Sequence, residues 1–238
     1  MKKQPTYKRI LIKLSGEVMA GEEGVGIEPA AVRELAEEIK ELKGLEVEIA
    51  VVIGGGNLIR GIEAAEYDLD RVTADHVGML TTIINGLALS AVLGRRGIVT
   101  SVQSAVAVGE MVAPYVRSNA LRDLQEGKVV IFVGGTGNPY FTTDTAAALR
   151  ALEIQAEIIL KATKVDGVYD SDPAKNSAAV KFDSISYQEV LQKRLRVMDA
   201  TAISLCMEHH LPVVVFNIGG RGNMQRIILG EKEGTLIS

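Results

Sequence analysis

Short apolar runs rich in β-branched residues recur along the chain at Arg9 to Leu14, Val47 to Ile53, Ile98 to Val102, Lys128 to Val133, Glu157 to Leu160 and Val213 to Phe216. Between most of them, apolar positions return every three or four residues. That spacing predicts helices over Pro29 to Leu42, Arg71 to Leu93, Ser118 to Gln125, Thr143 to Leu152, Tyr187 to Leu191 and Asp199 to His209. Strand and helix therefore alternate as βαβ units. Stretches such as Ile49 to Ile53 and Val129 to Val133 are apolar almost throughout, so their strands are covered on both faces. The predicted fold is α/β: a three-layer αβα sandwich around a mainly parallel sheet.

With 238 residues, 47% of them hydrophobic, the chain can bury a substantial core. No internal repeat or Pro/Ser-rich linker divides it, so it reads as a single domain over 1–238. Many of the 24 glycines fall just after predicted strands: Gly16, then Gly54 to Gly56, then Gly134, Gly135 and Gly137. Ligands of open parallel sheets bind outside the carboxyl ends of the strands, and three glycine loops on that edge suggest a phosphate-rich ligand. A net charge of -4 and a pI near 5.5 argue against nucleic acid as a partner. The single cysteine, Cys206, rules out a disulfide framework and fits a reducing cytoplasm. No uninterrupted run of 18 apolar residues points to a membrane span.

Four blocks carry candidate chemistry. In Ile10-Leu11-Ile12-Lys13-Leu14-Ser15-Gly16-Glu17, a lysine sits inside an apolar strand ahead of a glycine turn. Such a lysine either snorkels from an edge strand or faces an anion, and Ser15-Gly16 would let backbone N–H groups approach that anion. In Gly54-Gly55-Gly56-Asn57-Leu58-Ile59-Arg60, three glycines precede an arginine suited to bidentate phosphate contacts. Downstream, Asp75 could accept from a ribose or could be a solvated helix carboxylate.

The third block, Gly134-Gly135-Thr136-Gly137-Asn138-Pro139-Tyr140-Phe141-Thr142-Thr143-Asp144-Thr145, closes a strand and opens a helix. Its threonines and Asp144 suit an N-cap, but Asn138 also suits a base edge, Tyr140 and Phe141 offer faces, and the helix start suits phosphate. The fourth runs from Lys161 through Thr163, Tyr169 and Asp170 to Asp172-Pro173. Its carboxylates read as an Asx-type turn, because the bidentate glutamate of a calcium loop is missing. Asp199, after Val197-Met198, reads as an N-cap. No P-loop string and no G-x-G-x-x-G occur, and His76, His209 and His210 have no zinc spacing.

In this order, KLSGE at Lys13, GGGN at Gly54, GGTGNPYFTTD at Gly134, KATKVDGVYDSDP at Lys161 and VMD at Val197 resemble the bacterial uridylate kinases of the amino-acid kinase superfamily. The likeness spans essentially the whole chain. It implies an αβα sandwich with an eight-stranded sheet, a homohexamer, and transfer of a phosphoryl group from ATP to UMP with Mg2+. Carried over block by block, it places ATP at Lys13, Leu14, Ser15, Gly16, Gly56, Arg60, Thr163, Tyr169 and Asp172. It places UMP at Gly55, Asp75, Thr136, Gly137, Asn138, Pro139, Tyr140, Phe141, Thr142 and Thr143. Lys13 and Asp199 match the catalytic pair, with Asp199 expected to orient Lys13 and Asp144 to hold a magnesium-bound water. The stretch Gly21, Glu22, Glu23, Gly24, Val25 and Gly26 matches a segment linked to activation by GTP, and UTP is the implied inhibitor. Two other readings are a kinase of a carboxylate or carbamate acceptor and a nucleotide- or oxyanion-binding module without turnover.

Overall fold

The computed structural model describes residues 4–59, 69–195 and 197–238. Nine strands form one sheet in the order β4-β3-β5-β2-β1-β6-β10-β11-β9. They are β1 (Arg9–Leu14), β2 (Glu48–Ile53), β3 (Thr100–Ser104), β4 (Ala113–Pro114), β5 (Val129–Val133), β6 (Ile158–Thr163), β9 (Ser184–Ile185), β10 (Val213–Asn217) and β11 (Thr235–Ile237). Every pairing is parallel except β10 with β11. A separate antiparallel pair joins β7 (Val168–Tyr169) to β8 (Lys181–Phe182).

Successive side chains of a strand point to opposite faces, and the two cores follow that parity. Ile10, Ile12 and Leu14 of β1, with Ile49, Val51 and Ile53 of β2, enter one core. Helices α1 (Pro29–Lys43) and α3 (Arg71–Gly94) close it, with α8 (Asn223–Ile228). Leu11, Val52, Phe132 and Ile159 enter the other, covered by α4 (Arg117–Gln125), α5 (Thr143–Glu153), α6 (Tyr187–Gln192) and α7 (Ala200–Glu208). Ala146, Ala147, Ala148 and Ala151 are the buried residues of α5 that enter this core, and that helix lies over β1, β2 and β6. The short α2 (Gly56–Ile59) follows β2.

The sheet has one strand more than the resemblance implies, and several edge strands of two or three residues are too short to leave a periodic pattern. β3 begins two residues later than Ile98, whose N–H instead bonds to Leu93 O and closes the end of α3. α3 also qualifies a sequence expectation. By length and composition it could cross a membrane, with a mean hydropathy of 1.7 in its most apolar window. It nonetheless packs along α1, β3 and β5, with Ile83, Leu89 and Leu93 in the core.

Candidate active site

Strand β1 lies in the middle of the sheet, hydrogen-bonded to β2 on one side and β6 on the other. Lys13 therefore cannot be an edge-strand lysine reaching solvent, and its exposure is 8%. It shares the parity of Leu11, so its side chain lies on the α5 face of the sheet. Its register partner on β6 is Lys161, also 8% exposed. Two lysines thus stand side by side on neighbouring parallel strands beneath the start of α5. The second residue of that helix, Asp144, bridges them, with Lys13 Nζ 2.9 Å from Oδ1 and Lys161 Nζ 2.6 Å from Oδ2. Lys161 Nζ also donates to the carbonyl of Val197.

Two ammonium groups contact one carboxylate directly, with the Asp199 carboxylate acting on Lys161 from farther off, so the direct contacts leave positive charge only partly compensated in a buried place. Burying such charge is unfavourable unless an anion completes the site. The N-terminus of α5 adds the positive end of its dipole in the same region. Burial pushes the Asp144 carboxyl up, but the adjacent charges of Lys13 and Lys161 outweigh it and hold the pKa below the usual carboxylate value. For Lys161, burial pushes the ammonium down, Asp144 pulls it up and Lys13 pushes it down again, leaving it below an ordinary lysine. Asp144 is therefore the stable anion of the group.

Asp199 is engaged differently from the sequence expectation. As the N-cap of α7 it accepts from Ala202 N at 3.0 Å. It also accepts from the hydroxyls of Thr142 at 2.5 Å and Thr145 at 2.9 Å. Its hydrogen bonds go to α5, and the ion-pair partner of Lys13 is Asp144. The cause is the sheet parity, which aims Lys13 at the second residue of α5 while Asp199 enters from the start of α7. Thr142, the N-cap of α5, accepts from the N–H groups of Asp144 and Thr145, so Asp199 steadies the helix end that carries Asp144.

Lys161, left without a role by the sequence, is the main addition. A cavity of about 310 Å³ brings Lys13, Ser15 and Thr163 together with Lys161. A second, of about 450 Å³, is lined by Lys161, Asp144, Thr142 and Asp199. Gly16 and the Gly54–Gly56 turn touch closely beside Lys13. A Cβ on Gly16 would lie 2.7 Å from Gly56 N and 2.9 Å from Gly54 O, and Gly54 N donates to Leu14 O at 2.8 Å. Arg60 lies outside the described residues.

Of the other residues matched to ATP, Thr163 accepts from Val165 N and donates to Val165 O. Tyr169 donates to Asp166 at 2.6 Å. Asp172 accepts from Ala174 N in an exposed turn, the Asx-type geometry read from the sequence. Neither Tyr169 nor Asp172 lines the two cavities around Lys161.

The residues matched to UMP form a second group. Thr136 and Asn138 bond to one another across Gly137. After Pro139, Tyr140 takes the left-handed conformation at φ 71°, unusual for a bulky residue and a mark of local strain. Its N–H donates to Asp75 Oδ2 at 2.7 Å, which ties the loop to the first turns of α3. Arg71 bonds to the same Asp75 oxygen and sits 5.6 Å from the Tyr140 ring centre. Tyr140 and Phe141 are exposed, at 67% and 48%. Thr143 opens α5 beside Gly54.

In the Gly21–Gly26 segment, Glu22, Glu23 and Val25 are exposed, and Gly24 has left-handed backbone. The segment is anchored at Gly26, whose N–H donates to Asn57 O and whose carbonyl accepts from the Asn57 side chain.

The residues present fit a magnesium ion carried by nucleotide phosphates. Lys13 approaches Asp144 Oδ1 as an ion pair without hydrogen-bond alignment, and that oxygen is buried with no hydrogen-bond partner. An oxygen in this state can accept from a water of a hydrated ion. Among the described residues no three His, Cys, Asp or Glu groups converge, so the ion's remaining ligands would be phosphate and water.

Residues 8–217 match the model of the amino acid kinase family. The fold superposes on a UMP kinase from Bacillus anthracis with a TM-score of 0.94 and 41% identity, covering 98% of this chain and 96% of that one. A UMP kinase from Ureaplasma parvum matches over 100% of both chains, with a TM-score of 0.91 and 40% identity. A uridylate kinase from Archaeoglobus fulgidus is 28% identical with a TM-score of 0.73, covering 96% of this chain and 99% of that one. The chain therefore belongs to the amino acid kinase family and, within it, to the bacterial UMP kinases.

Proposed function

We propose that this protein transfers the γ-phosphoryl group of ATP to UMP, giving ADP and UDP, as a magnesium-dependent cytoplasmic enzyme built on one domain. The observation that carries this reading is the buried Lys13–Asp144–Lys161 bridge under the start of α5, a site with more positive than negative charge in contact.

A phosphate monoester such as UMP has a second pKa of about 6, so near neutral pH its oxygen is already a nucleophile. No general base is needed, and catalysis consists of alignment and charge stabilisation. The acceptor oxygen forms a bond to the γ-phosphorus as the bond to the β–γ bridging oxygen breaks, and ADP leaves with that electron pair. Lys13 and Lys161 present ammonium groups to the oxygens on which charge accumulates. Asp144 holds both in place, and Asp199, through Thr142 and Thr145, fixes the helix end carrying Asp144. Gly16 and Gly54 to Gly56 let backbone N–H groups approach the phosphates. Magnesium, when bound with ATP, neutralises charge on the β- and γ-oxygens. The Asn138, Tyr140 and Phe141 loop, with Asp75, takes the base and ribose.

Regulation by GTP and UTP is part of the same reading, supported by the Gly21–Gly26 match and by its hydrogen bonds to Asn57, beside the glycine turn. Assembly into a homohexamer is supported by Leu80, Ile84 and Leu87, exposed at 54%, 50% and 38% at helical spacing on α3.

An ADP-release assay with MgATP and a panel of UMP, CMP, AMP, GMP and amino-acid acceptors tests the proposal. Turnover is expected with UMP. Turnover with an amino acid and not UMP would replace the acceptor, and tight nucleotide binding without turnover would make the protein a binding module.

A further inference from the structure

Beside the aliphatic Ile83, Leu89 and Leu93, the buried side of α3 carries two polar side chains, Thr82 and Asn85, that reach the loops at the strand ends. Thr82, 2% exposed, accepts a hydrogen bond from Gly134 N at 2.7 Å and donates to Met79 O at 2.7 Å. Three residues on, Asn85 is fully buried. Its amide donates to Gly54 O at 2.8 Å and to Asn57 Oδ1 at 2.7 Å, and its oxygen accepts from Asn57 Nδ2 at 3.1 Å. Asn57, equally buried, passes its other hydrogen to Gly26 O at 2.6 Å. Gly55 rests on the same helix, since a Cβ there would lie 2.8 Å from Gly78 O and 2.9 Å from Thr81 Cβ.

Every donor of both amides is used. Buried amides are tolerated when satisfied in this way, and they then fix one arrangement of the segments they join. The segments joined are the turn after β2, which carries the Gly55 match to UMP and the Gly56 match to ATP, and the loop after β5, matched to UMP. Neither Thr82 nor Asn85 lines the cavities around Lys161. Both residues lie behind the loops they hold.

We infer that Thr82 and Asn85 are positioning residues for the acceptor nucleotide. They set the Gly54–Gly56 turn and the Gly134–Gly137 loop at one separation on a common helix, so that the phosphate and base ends of the acceptor are held in register with the lysines. The inference rests on the reading of these loops as the UMP site and adds residues that act through them. Thr82 holds only the Gly134 loop, away from the Gly16 and Gly56 positions matched to ATP, so ATP use is largely independent of the Thr82 contact, whereas Asn85 holds a turn that also packs on Gly16. The opposite face of α3 carries exposed Leu80, Ile84 and Leu87, so contact with another copy there would bear on the same helix.

Thr82→Val keeps the side chain's shape but removes the acceptor of the Gly134 N–H, and Thr82→Ser restores it. Steady-state kinetics on the full chain should show the UMP KM of Thr82→Val raised about tenfold, as for a buried donor left unpaired, with the ATP KM within about twofold. Thr82→Ser should return the UMP KM to near the parent value. Equal changes in both KM values, no change in either, or failure of serine to rescue would overturn the inference. Asn85→Ser, measured alongside, should raise the UMP KM and also the ATP KM, because the turn it holds packs on Gly16, and an unchanged UMP KM would count equally against the inference. A parent enzyme that does not use UMP refutes the proposed function itself, whereas a parent that uses UMP with unaffected variants refutes only the positioning role.

Discussion

In the proposed reaction Lys161 acts beside Lys13. The two ammonium groups share one carboxylate, and removing either takes away an electrostatic stabiliser at a place where transferred charge accumulates. Lys161→Met should therefore lower kcat by about a hundredfold or more, in the range typical of losing one such group. Lys13→Ala should do the same. Stopped-time ADP release at saturating substrates checks both, and normal turnover in either variant would remove that lysine from the mechanism.

The lowered pKa of Lys161 gives a second expectation at this scale. An unperturbed lysine titrates near about 10.4, so in the free enzyme this ammonium discharges at lower pH. The alkaline limb of kcat/KM should therefore lie below that value. The sign for stability is opposite. Between the folded and unfolded pKa values the unfolded chain binds more protons, so stability rises with pH across that window. Urea titrations of the parent and Lys161→Met through the alkaline range should show this rise in the parent alone.

Lys13 was legible in the sequence because a charge inside an apolar run needs a reason. The role of Lys161 was not, because its meaning comes from its register with Lys13 across two strands far apart in the chain. Asp144 had the signature of a first-turn helix residue, which it is, and nothing local could show two lysines converging on it. For the same reason the direct partner of Lys13 is Asp144, while Asp199 bonds to Thr142 and Thr145. Which residue a strand lysine meets is decided by sheet parity and by the placement of α5.

At the scale of elements, the turn after β1 and the turn after β2 are packed so closely that a methyl group has no room between them. Gly16→Ala would push Cβ to 2.5 Å from Asn57 Oδ1 and 2.7 Å from Gly56 N, and the second is backbone that cannot rotate away. The variant should lose most of its activity and melt at lower temperature than the parent, measured by calorimetry and ADP release. Full activity would mean that the two turns separate in solution.

Helix α3 offers the other test at this scale. Ile84→Asp places a charge in its exposed apolar stripe and should dissociate the proposed homohexamer into smaller species by light scattering, with the monomer fold intact by circular dichroism. An unchanged mass would move the contact to another surface. The long elements of the fold follow from hydrophobic pattern, since β2, β5 and β10 are apolar on both faces inside their ends and α1 has a clear buried stripe. Strands such as β4, β9 and β11 have too few residues for a pattern and are held by the strands they join.

For the molecule as a whole, a central sheet gathers strand ends from residues 14, 53, 133 and 163 on one edge, where a helix start and several glycine turns meet two buried cations. The function assigned to that edge is phosphoryl transfer between nucleotides. Phosphorus NMR of the purified chain mixed with MgATP and UMP tests it most directly, because donor, acceptor and both products have separate resonances. The UMP and γ-ATP signals should fall together while UDP and ADP signals grow in equal amounts. ATP consumption without UDP, or a mixture unchanged over many expected turnovers, would contradict it.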